Sequence, residues 1–84
     1  MKIERRVENG RTTICLVGRL QMEHLTELGR LLRETGVETV LDLQEVTLVD
    51  VEVVRFLQVC EEHGVVIERC APYIREWMLR ERPR

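Results

Sequence analysis

The chain has 84 residues, 44% of them hydrophobic and 33% charged, with 13 Lys and Arg against 15 Asp and Glu. That is the length of one domain, read as residues 1–84, with room for one core; it is too apolar for a disordered tail and has no uncharged apolar run of about 18 residues to span a bilayer. The balanced charge and a pI near 5.7 offer no basic stripe for a nucleic-acid backbone.

The opening Met1-Lys2-Ile3-Glu4-Arg5-Arg6 has no apolar stretch and does not read as a secretory signal. Residues 2–8 and 12–20 read as strands around Asn9-Gly10, a strong hairpin signal. In the second strand Ile14, Leu16 and Leu20 share one face, and Thr13, Cys15 and Val17 the other. A helix is predicted from Met22 to Thr35, with Leu25, Leu28, Leu31 and Leu32 on its apolar side and Gly36 as C-terminal cap. Gly29 in its middle is expected to serve close packing on the sheet.

Val37–Leu43 reads as a central strand, and Gln44–Val49 as a connection to Asp50, an N-cap for the next helix. There Val53, Phe56, Leu57 and Cys60 form a stripe flanked by Val54, ending at His63-Gly64. Val65–Glu68 is a further strand. Pro72 opens a last helix with Ile74, Trp77 and Met78 inward. In this tail of the chain Arg75, Arg80, Arg82 and Arg84 outnumber Glu76 and Glu81, the mark of a solvated terminus.

The order β-β-α-β-α-β-α predicts an α/β fold with a mixed, mostly parallel sheet and helices on one face. The expected core is Ile3, Ile14, Leu16, Leu25, Leu28, Leu32, Leu41, Leu43, Val53, Leu57, Ile67 and Trp77.

Candidates for chemistry are few. Three cysteines, Cys15, Cys60 and Cys70, make an odd count with no C-x-x-C pair, which points to a reducing cytoplasm rather than a disulfide framework. Cys60-x-x-His63 with Cys70 lacks a fourth ligand at finger spacing, and Cys60 belongs to an apolar stripe, so no metal is expected. The chain has no serine, and Cys15 has no His near it in sequence. His24 and His63 read as solvated. Asp42 and Asp50 read as turn and cap residues. The five glycines are dispersed and form no phosphate loop. No catalysis and no cofactor are expected.

The run Val40-Leu41-Asp42-Leu43-Gln44-Glu45-Val46-Thr47-Leu48-Val49-Asp50-Val51-Glu52-Val53-Val54-Arg55-Phe56-Leu57 resembles the STAS domain family of anti-sigma factor antagonists, and Gly18-Arg19-Leu20-Gln21 resembles the family's G-R/E-L-D. The resemblance spans about residues 10–79. It implies a STAS-like fold, shortened at its C-terminal end by a strand and a helix, and docking of a protein partner around the start of the helix after Asp50. The family's phosphorylated D-S-S/T-G-L box reads Asp50-Val51-Glu52-Val53-Val54 here. Neither Val51 nor Glu52 carries a hydroxyl, so the family's phospho-switch cannot operate at these positions. Glu52, at the acceptor position, is a weak fixed mimic of a phosphate or a stabiliser of a helix N-terminus.

The expected function is therefore a non-enzymatic, cytoplasmic protein-interaction module of bacterial signalling. Its contact surface would comprise Asp50, Val51, Glu52, Arg55 and Val59, and its partner would be an anti-sigma factor or kinase relative. The resemblance leaves two alternatives, an accessory subunit on the ATPase of an ABC-type lipid transporter and a small-ligand sensor. A shortened sheet also predicts a homodimer, through the edge at Val65–Arg69 or through the face of Cys15 and Val17.

Overall fold

The computed structural model describes residues 1–35 and 38–81. The expected cap Gly36, the start of the third strand at Val37, and the terminal Arg82 and Arg84 lie outside them. Among the described residues the order is β1 (Lys2–Glu8), β2 (Arg11–Leu20), a 3-10 turn (Met22–His24), α1 (Leu25–Thr35), β3 (Thr39–Val49), α2 (Val51–Glu62), β4 (Val66–Glu68) and α3 (Pro72–Arg80).

The β1–β2 hairpin turns at Asn9 (φ 51°) and Gly10 (φ 78°), the left-handed pair that a two-residue type I′ turn requires. β1 pairs antiparallel with β2, and β2–β3 and β3–β4 are parallel. Spatial order follows chain order, β1-β2-β3-β4. The α/β class and the mixed sheet are as expected.

Partnered residues share a face, so Ile3, Leu16, Ile14, Leu41 and Ile67 lie on one side of the sheet. Ile14, Leu16, Leu41 and Leu43 join Leu28, Val53, Val54, Leu57, Ile74 and Met78 from the three helices in one buried cluster. Seven of the twelve expected core residues are buried, while Ile3, Leu25, Leu32, Ile67 and Trp77 pack against the cluster only partly covered. Trp77 is the notable shift, since α3 is anchored by the fully buried Ile74 together with Met78.

Three further expectations need correction. Gln44–Val49 is strand, not connection, because β2 continues to pair with β3 as far as Leu20↔Val49 across two register shifts, which carries Val46 and Val49 into the core. The helix expected from Met22 begins as a 3-10 turn and becomes α-helical at Leu25. Gly29 does not serve contact with the sheet. A Cβ added there would lie 3.7 Å from an Arg33 guanidinium nitrogen and 3.9 Å from the Phe56 ring of α2, with no clash.

Among the described residues no helix is long and apolar enough to cross a membrane.

Candidate functional site

Asp50 stands at the junction of β3 and α2 in extended backbone (φ −109°, ψ 176°). Its Oδ1 accepts the Val53 N–H at 2.9 Å, as an N-cap does. Its Oδ2 accepts the Met22 N–H, also at 2.9 Å. One carboxylate thus fastens the start of α2 to the 3-10 turn that follows β2. The Val53 N–H is the main reason its acidity is strengthened, with burial opposing and the Met22 N–H adding to it, so the carboxyl titrates below its ordinary range. The turn has its own latch, since the His24 Nδ1 accepts the Gln21 N–H at 3.0 Å.

From this fastened start α2 presents Val51, Arg55 and Val59, one helical turn apart, with Glu52 beside them. Val51 is half-buried, Arg55 and Glu52 are exposed, and Val59 is 50% exposed. Arg55 pairs with Glu52 at 3.2 Å. Met22, at the start of the 3-10 turn, and Leu48, next to last in β3, are exposed apolar side chains. Of the five predicted contact residues, four lie on the outer side of α2; Asp50 has both oxygens occupied and acts by positioning. Glu52 sits in the first turn, where a carboxylate stabilises the helix.

A second cluster lies on the sheet face opposite the core. Asp42, read from sequence as a turn residue, is instead mid-strand in β3 and only 4% exposed. Its Oδ1 accepts the Gln44 N–H at 3.0 Å, and its Oδ2 accepts from the Arg69 guanidinium. The Cys15 Sγ lies 3.8 Å from the same Oδ2, and Arg6 donates to that sulfur at 3.4 Å. Burial pushes the Asp42 carboxyl up, but Arg69 and the Gln44 N–H outweigh it and hold the carboxyl below its usual range. Arg69 reaches this position from left-handed backbone at φ 53°, just past the end of β4. A shallow depression of about 280 Å³ beside the cluster is lined mainly by Glu4, Arg6, Asp42, Gln44, Glu45 and Arg69.

Sequence reasoning missed this cluster because an isolated Asp reads as surface or turn. The available signal was alternation: with Leu41 and Leu43 inward, Asp42 must face the other way, beside Cys15.

The cysteines are free. Cys60 is buried in the α2 stripe, and burial pushes its thiol up to about 11, which keeps it protonated and unreactive near neutral pH. His63 sits at the exposed C-terminal end of α2, its Nδ1 2.8 Å from the Val59 carbonyl oxygen.

No protein-family model and no curated protein matches this chain.

Proposed function

We propose that the chain is a non-catalytic, STAS-like protein-interaction module that docks its partner on the outer side of α2 and carries no phospho-switch at its start. The observation that carries this reading is the stripe of Val51, Arg55 and Val59 on a helix whose first turn is held by both oxygens of Asp50. A contact surface benefits from such preorganisation, because less ordering is left to the binding event. The exposed Val59 between charged neighbours suits a small apolar anchor with a polar rim. Glu52, paired with Arg55, supplies a fixed negative charge where the resembled family carries a reversible one.

The partner is either an anti-sigma factor or kinase relative, or the ATPase of a transporter, acting in the cytoplasm. The test titrates the purified chain against one protein of each kind encoded near its gene, using calorimetry, with Val59→Arg and Glu52→Arg as probes. Binding to one of them, weakened about tenfold or more by Val59→Arg, is the expected result. Failure to bind either, or binding that both substitutions leave unchanged, would remove the reading. A phosphate mapped to Thr47 that abolishes binding would overturn the fixed-state part alone.

A further inference from the structure

β1 is one of the two edge strands of the sheet, and the orientation of its free backbone groups follows from a neighbouring bond. The Thr12 N–H points away from β1, donating to the Glu38 carbonyl at 3.1 Å. Thr12 stands opposite Val7, so this pair exchanges no bonds, and the N–H and C=O of Val7 also point away from β2. Alternation along the strand gives Arg5 and Ile3 the same outward orientation. Lys2, Glu4, Arg6 and Glu8 bond inward to β2, and their side chains lie on the open sheet face, where Lys2 and Glu4 approach to 3.4 Å and Arg6 reaches Cys15.

The charges on that face of β1 alternate: positive, negative, positive, negative. Reversed, the row is its own complement. We propose that β1 pairs antiparallel with β1 of a second copy of this chain about a two-fold axis through Arg5, which joins the two sheets into one. In that register Ile3 meets the second copy's Val7 and Arg5 meets its own counterpart, and all of these residues carry outward-facing backbone groups. Each of these pairs exchanges both hydrogen bonds. Between them, Glu4 faces Arg6 and Lys2 faces Glu8 across the axis, at the non-hydrogen-bonded positions where side chains come closest.

The neighbouring registers are excluded by the same row of charges. A slip of two residues in one direction sets Glu4 against Glu4 and Lys2 against Arg6; in the other it sets Arg6 against Arg6 and Glu4 against Glu8. A slip of one residue presents bonded backbone groups to free ones. A two-fold contact requires a self-complementary surface, and this strand meets the requirement along its whole length in one register; a slip of four restores opposite charges, Lys2 against Glu4 or Arg6 against Glu8, but over less than half the overlap. Val7, 63% exposed in the single chain, is covered there by Ile3 of the second copy. The cost is Arg5 facing its counterpart on the helix side, a like-charge contact between long, exposed side chains.

This places the second copy on a different edge from the one the sequence suggested. β4 has three residues, and the face of Cys15 and Val17 carries the charged Asp42 cluster. The contact also leaves the outer side of α2 free, so its test is separate from the functional one.

The experiment is sedimentation equilibrium of the full chain at tens of micromolar, with circular dichroism to establish folding. The parent is expected at twice its 9.9 kDa chain mass. Glu4→Arg sets two repulsions against the axis and weakens the dimer about tenfold or more; adding Arg6→Glu restores complementarity and the dimer. Lys2→Glu, alone and with Glu8→Lys, repeats this swap away from Asp42, in case Arg6→Glu disturbs the fold. Arg5→Pro removes an outward N–H that β2 does not use and yields a folded monomer. A monomeric parent, a dimer indifferent to Glu4→Arg and Arg5→Pro, or folded double swaps that stay monomeric would each overturn the proposal.

Discussion

Replacing Asp50 by alanine removes two hydrogen bonds of different kinds with one substitution. The first, from Val53 at 2.9 Å, is an N-cap, and losing it costs about 1 kcal/mol. The second, from Met22 at 2.9 Å, is a charge-assisted bond that links two distant segments, and its loss adds about 1–2 kcal/mol. The sum is about 2–3 kcal/mol, which lowers the melting temperature of a domain this size by roughly 8–24 °C. Urea titration with thermal melting measures it. Asp50→Ser keeps an oxygen for Val53 but cannot serve Met22 as well, so it should fall between alanine and the parent. The pH dependence has a fixed sign. The folded carboxyl titrates below its ordinary value, so its contribution is present above about pH 4 and lost as pH falls through the folded value. Asp50→Ala should therefore lose less stability than the parent on acidification below that pH. A change under about 0.5 kcal/mol for Asp50→Ala, or a serine variant no better than alanine, would refute the reasoning.

Asp42→Ala is expected to cost about 2–3 kcal/mol by urea titration, below the range for a fully buried pair, because the exposed Arg69 guanidinium can return to water. Its effect should shrink toward acid, since Asp42 also titrates below its ordinary range. Gly29→Ala should stabilise the chain by about 0.5–1 kcal/mol in the same titration, because a methyl fits without a clash and alanine is the better helix former. Ile74→Ala should cost about 2–5 kcal/mol and exceed Trp77→Ala, since Ile74 is fully buried and Trp77 is not; paired thermal melts that reverse this order would place the anchor of α3 elsewhere.

What was legible in the chain was whatever a local period or turn could carry. The Asn9-Gly10 hairpin, the Asp50 cap, the Val53–Leu57–Cys60 stripe and the Pro72 helix start all follow from neighbours within a turn or two, and the structure has each of them. The sequence is silent where distant partners decide. Val46 and Val49 are drawn into β3 by pairing with β2, whose register shifts leave no mark on the sequence of β3 itself. Asp42 lies buried because Arg69, 27 positions away, answers its charge. On α3 the three apolar residues of the stripe were found, but which of them is enclosed depends on how the helix rolls against α2. At the candidate site, outward-facing residues of α2 could be picked from helical spacing, whereas the second bond from Asp50 to Met22 spans two elements that are not neighbours in sequence.

The agreement between spatial and chain order in the sheet bears on how the molecule is made. Each strand after the first is laid against one that precedes it in the chain, so a polypeptide leaving the ribosome never has to wait for a later segment to complete an earlier pairing. The hairpin can close as soon as Leu20 has emerged, β3 then docks on a template already present, and α2 seals it. The two parallel pairings join residues about 26–29 positions apart and form more slowly than the hairpin, but the growing side of the sheet is occupied as synthesis proceeds, which shortens the interval in which an apolar strand such as β3 is exposed to other nascent chains. The β1 edge has the opposite history: it forms with the hairpin, and no later strand among the described residues pairs with it.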